Sequence, residues 1–166
     1  MSLDAESPSP TRPVRTAATA SLDRARQGSL AVLVLTVVEY GIGMYVNLYV
    51  TVPRADHGHS VRSAIANGPA MLSIHAVIGL LLGIGALGVL VQAVRARHLG
   101  VIALSAAGLF ALVVAAAAGA SSTSSGQPAE SMAMSVLTGI GLLCYAANLY
   151  LLPAPTRAAE PAARVR

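Results

Sequence analysis

Four long runs of apolar and small residues, each bounded by polar segments, dominate the chain, at about 30–50, 69–93, 99–118 and 131–152. Each is long enough to cross roughly 30 Å of hydrocarbon at about 1.5 Å of rise per residue. A membrane β-barrel strand would need only about ten residues, so the pattern predicts an all-α fold. The connections near positions 96 and 125 are short, which makes sequential helices antiparallel. The expected architecture is an integral membrane four-helix up-down-up-down bundle.

The flanking segments read differently. Residues 1–28 hold Pro8, Pro10 and Pro13 among many Ser, Thr and Ala, with too little apolar material for a core. They are expected to form a disordered tail, as are residues 154–166, leaving 29–153 as the transmembrane domain. The first run should remain attached, because its polar lead is long and Val52-Pro53-Arg54-Ala55 is a poor cleavage site. Pro128 suits the first turn of the fourth helix, Glu130 lies near its positive dipole end, and Pro153 and Pro155 stop it. Ser121–Ser125 reads as a flexible loop.

Composition agrees with the pattern. Of 166 residues, 55% are apolar and 11% charged, against about 25% charged in an ordinary soluble domain. One domain fills this length. All eleven basic residues are Arg, and Ala is abundant, a bias that suits a high-GC bacterial genome. The net charge of +4 does not suggest nucleic acid, since the Arg residues are scattered and carry no recognition motif. Their placement sets direction instead. Arg12, Arg15, Arg24, Arg26, Arg95, Arg97, Arg157, Arg164 and Arg166 fall on one side of the four spans, and only Arg54 and Arg62 on the other. Both termini are therefore expected to be cytoplasmic, in a bacterial plasma membrane. The single cysteine, Cys144, lies within a span and permits no intrachain disulfide.

Small residues recur at helical spacing, which in lipid usually marks packing surfaces. They include Gly79, Gly83 and Ala86 in the second span, Ser105, Gly108, Ala111, Ala115 and Gly119 in the third, and Gly139 and Gly141 in the fourth. Tyr45, Tyr49, Tyr145 and Tyr150 read as interfacial belt residues.

Glu39 is the most unusual residue, because it falls near the membrane midplane. A carboxylate at that depth has to be neutral, paired or facing a cavity. Thr36, Glu39, Tyr40, Gly43 and Asn47 share a sector of about 100° on the first span. His75 on the second span lies at a depth between Asn47 and Glu39, within reach of the carboxylate. The pair could lock two helices together, relay a proton or hold a ligand. A haem b reading uses His75 with Gly79 one turn on to admit a porphyrin, and Met134 as a second ligand. Asp56, His57 and His59 in the first loop could contribute to a metal site but lack a further placed ligand, and His98 joins the basic turn. No nucleophile elbow, phosphate-binding loop or His-Glu-x-x-His sequence is present, so nothing points to an enzyme.

Tyr45-Val-Asn-Leu-Tyr49, Ala76-Val-Ile-Gly-Leu80 after His75, and Asn148-Leu-Tyr-Leu-Leu-Pro153 resemble stretches of uncharacterised small four-span membrane proteins of actinobacteria. The resemblance covers residues 30–153 and implies a plasma-membrane location and a four-helix fold, without an activity or site residues. In having four spans and a carboxylate in the first, the chain also resembles small multidrug transporters, whose shorter tails and aromatic-rich site it lacks. The leading functional expectation is a non-enzymatic accessory or interaction subunit, without a bound cofactor, locked by Glu39 and His75. Its partners would be the lipid bilayer and other membrane proteins or further copies of itself. The alternatives are a proton-coupled transporter or small-molecule binder using Glu39, Thr36, Tyr40 and Asn47, and a haem protein ligated by His75.

Overall fold

The computed structural model describes residues 17–50, 68–125 and 127–152. Four helices account for nearly all of them: α1 (Ala17–Tyr49), α2 (Ala70–Ala96), α3 (Leu99–Ser125) and α4 (Pro128–Leu151). Each is long and apolar enough to cross a membrane, and no strand occurs among the described residues.

Two boundaries depart from expectation. The first helix starts at Ala17, so residues 17–28 of the segment expected to be a disordered tail are helical. Ala, Leu and Arg there have high helix propensity, and Arg26 anchors the stretch. Its guanidinium donates to the carbonyls of Leu149 at 3.4 Å and Leu152 at 3.0 Å, capping the C-terminus of α4. Likewise Ser121–Ser125 is the last turn of α3 rather than a loop. Ser122 and Thr123 donate back to the carbonyls of Gly119 and Ala120, at 2.8 and 2.7 Å, which suits the helix end. Pro128 then opens α4 at once, with Glu130 in its first turn accepting from the Ser125 hydroxyl. At the other turn, Arg97 takes a left-handed conformation (φ 55°) and its N–H bonds Val94 O.

The buried positions follow a heptad. On α1 the core face runs through Ala25, Ser29, Val32, Thr36, Glu39, Gly43 and Val46, spaced alternately four and three apart. The same 3.5-residue period recurs on α2 (Leu72, His75, Gly79, Leu82, Ala86, Val89, Ala93), where His75 and Gly79 are only half-buried. It is the signature of left-handed, knobs-into-holes packing. The chemistry of the faces is inverted relative to a soluble bundle. Ser29, Thr36, Ser105 and Asn148 are fully buried, whereas Leu80, Phe110 and Leu143 are two-thirds exposed. Water would not tolerate that apolar exterior, but hydrocarbon does. The chain is a multi-pass membrane protein.

Close contacts fix the registers. Glycines set α1 against α2: Gly28 meets Val89, Gly85 meets Val32, Gly79 meets Glu39 and Gly43 meets His75. On α3 and α4, Gly108 meets Tyr145, Gly141 meets Leu112, and Gly119 meets Met134. The two pairs join along α2 with α3 and α1 with α4, while diagonal helices do not approach one another. We call proximal the end with the α2–α3 turn and the end of α4, and distal the end where α1 stops and α3 turns into α4. The packed core is proximal. One cluster joins Val32, Leu82, Ala86, Val89, Leu112 and Tyr145, and a second joins Ala25, Ala93, Val101 and Leu152.

Candidate functional site in the distal cleft

The distal half of the bundle carries an open-sided cleft of about 1380 Å³ lined by all four helices, its rim including the exposed Leu80, Ile84 and Met132. Glycine helps to make this space. A side chain at Gly83 or Gly139 would meet nothing within 4 Å, and Gly83 lies on the cleft wall. Gly83 and Gly139, expected among the packing residues, therefore do not mediate helix contact, whereas Gly108 and Gly141 do.

Glu39 and His75 meet on one wall of the cleft. Nδ1 of His75 lies 2.9 Å from Oε1 of Glu39, forming an ion pair when the ring is protonated. The approach does not meet hydrogen-bond geometry, so Nδ1 and the second oxygen, Oε2, are both buried without a hydrogen bond. The heptad explains why they meet. In antiparallel register, Glu39 sits over Gly79 and His75 over Gly43, and each glycine lies four residues beyond the charged residue of its own helix. A Cβ on Gly79 would fall 3.2 Å from Oε1, and one on Gly43 would fall 3.1 Å from the imidazole Cε1. The absence of side chains there admits the carboxylate and the ring.

The remaining predicted residues divide between two places. Tyr40 and Asn47 line the cleft with Ser135 and Thr138 of α4. Asn47 accepts a hydrogen bond from Ser131 at 2.9 Å, joining α1 to α4 near the mouth. Thr36 is buried one turn below Glu39 and donates to Val32 O at 2.7 Å, so its hydroxyl proton is committed to its own helix. Glu39, Tyr40 and His75 are the titratable side chains on the cleft wall among the described residues.

For haem the fit is poor. His75 and Met134 both border the cleft, but the space beside Gly79 that a porphyrin would need holds the Glu39 carboxylate. Met134 is turned toward α3, its sulfur packed at Gly119. Asp56, His57 and His59 lie outside the described residues, and among those described no group of three His, Cys, Asp or Glu could hold a metal. His98 caps α3, its Nδ1 accepting from Val101 N at 3.4 Å.

Sequence reading missed a second polar contact. Asn148 Nδ2 donates to Ser105 Oγ at 2.9 Å in the proximal core, both residues being fully buried. An amide within an apolar span was the available signal. Tyr145, expected in the interfacial belt, is also fully buried, its ring packed over Gly108, whereas Tyr150 at 92% exposure fits a belt position. In comparisons with protein-family models, curated proteins and solved structures, nothing matches this chain, so the case for the site rests on its geometry.

Proposed function

We propose that this membrane protein binds a small amphipathic molecule in the distal cleft, with Glu39 and His75 as its polar anchor. One observation carries the reading: Glu39 Oε2 is buried without a hydrogen bond on the wall of a cleft far larger than a packing defect. An unpaired buried oxygen costs about 1–3 kcal/mol; Oε2 is sealed from the cleft, so a ligand donor recovers that cost by drawing the carboxylate toward the cavity. The apolar lining suits the rest of such a ligand. With Arg excess taken to mark the cytoplasmic side, the proximal end is cytoplasmic and the cleft opens from the outer half of the membrane.

The test is native mass spectrometry of protein released from mild detergent. Wild type is expected to carry a co-purified molecule at one per chain. Gly83→Leu, which places a side chain in open space, is expected to lower occupancy at least tenfold without loss of fold. Equal spectra for the two proteins would sink the proposal. The reciprocal fit of Glu39 over Gly79 and His75 over Gly43 favours a second reading, an internal lock in an accessory subunit. That reading predicts no bound molecule and no effect of Gly83→Leu on partner association.

The haem alternative has a direct check. Protein from a haem-replete host is expected to show no Soret absorption, because carboxylate and porphyrin compete for the space at Gly79. A Soret band that His75→Ala removes would restore that alternative.

A further inference from the structure

Six buried side-chain polar atoms lack a hydrogen-bond partner among the described residues. Two belong to the Glu39–His75 pair. The other four are Ser29 Oγ, Gln92 Oε1, Tyr145 OH and Asn148 Oδ1. All lie proximal to Glu39, where the bundle is closed, and they come from α1, α2 and α4. The remaining helix, α3, contributes Ser105, which bonds Asn148.

Their depths follow from the registers. Arg26 against Leu152 and Asn47 against Ser131 place Tyr145 between Thr36 and Ser29, and Asn148 level with Ser29. The α1–α2 contacts place Gln92 one turn further toward the proximal end. Below Glu39 the order is therefore Thr36, Tyr145, then Ser29 with Asn148 and Ser105, then Gln92. Successive members differ by about 3–6 Å along the axis at about 1.5 Å per residue, a spacing that single water molecules bridge. Ser29, Thr36, Ser105, Tyr145 and Asn148 are all fully buried, so this order of depths runs through the bundle interior. Buried polar atoms are nearly always satisfied, and ordered water satisfies those that the protein does not.

We propose that this file of side chains holds water and forms a proton path from Glu39 to the proximal face. The distal cleft gives Glu39 access to the opposite side. A proton entering from the cleft binds the Glu39 carboxylate or His75. It leaves by transfer to the hydroxyls and bridging waters of the proximal file, each of which accepts one proton and releases another, so no bond or charge is left unbalanced. Thr36 joins the relay by turning its hydroxyl away from Val32 O, so that it accepts one proton and releases its own. The titratable groups facing Glu39 are His75 from α2 and Tyr40 from its own helix; the cleft walls of α3 and α4 add none among the described residues. The path requires no ligand in the cleft.

The experiment uses the full chain in proteoliposomes containing a trapped pH-sensitive dye, with a potassium diffusion potential driving protons inward. Wild type is expected to exceed protein-free liposomes at least tenfold, and Glu39→Gln to fall to background. Tyr145→Phe removes only the hydroxyl and is expected to reduce flux at least fivefold. Asn148→Leu should do the same, while Tyr150→Phe, on the exposed surface, leaves it unchanged. Thermal unfolding of each variant accompanies the flux, and Tyr145→Phe is expected to unfold with the wild type. Background flux in wild type, or wild-type flux in both Tyr145→Phe and Asn148→Leu, overturns the path. Retention of the co-purified molecule alongside background flux would remove the path and leave the cleft reading standing.

Discussion

His75→Ala is expected to destabilise the bundle by about 3–5 kcal/mol, the usual cost of stripping one partner from a buried ion pair. Glu39 would then lose the imidazole at Oε1, while Oε2 already lacks a hydrogen bond. Glu39→Gln should cost less, about 1–2 kcal/mol, because an amide keeps the shape and carries no charge to strand. Replacing both residues with Leu is expected to fall below the His75→Ala cost, since nothing polar is then left unpaired. Denaturant unfolding in bicelles measures all three. If His75→Ala proved milder than Glu39→Gln, the pair would not be the main polar contact between α1 and α2.

Gly108→Ala is the second large effect, expected at the upper end of about 1–3 kcal/mol. Its Cβ would lie 2.8 Å from Tyr145 Cε2 and 3.2 Å from the Cβ of Cys144. Neither neighbour can yield, because the ring is fully buried and the other atom is fixed to backbone. Gly119→Ala provides the contrast. Its new methyl would approach Met134 Sδ at 2.7 Å, but a thioether swings aside easily, so the cost should remain below about 1 kcal/mol. Adding Tyr145→Leu to Gly108→Ala should give less than the sum of the single costs, since the clash is removed with the ring. Simple additivity would mean that the α3–α4 spacing is set elsewhere.

The four spans were legible because lipid demands long uninterrupted apolar runs, and nothing in their interiors competes with that signal. Glu39 and His75 stood out for the same reason in reverse, each being an ionisable group in such a run. Their partnership followed from depth alone. The glycines opposite them were visible, yet sequence spacing assigned Gly79 and Gly83 to one packing stripe, although one touches a carboxylate and the other faces open space. That distinction depends on which helix lies opposite, and a single helix does not encode it. Tyr145 shows the same limit, since a tyrosine near the end of an apolar run reads as interfacial until Gly108 is known to make room for its ring. The start of α1 was missed because Ala17–Gly28 has no apolar stripe, and its anchor, Arg26, bonds a helix more than a hundred residues away.

That anchor bears on the order in which the molecule is made. Arg26 belongs to α1, and its acceptors, Leu149 and Leu152, lie at the end of α4. The Glu39–His75 contact, in contrast, needs only the first two helices. A nascent chain can thus shelter its costliest group as soon as one hairpin has entered the bilayer, and closes its ring only once α4 has been made. A chain truncated before Leu149 would keep its sheltered carboxylate but lack both α4 carbonyls that Arg26 caps.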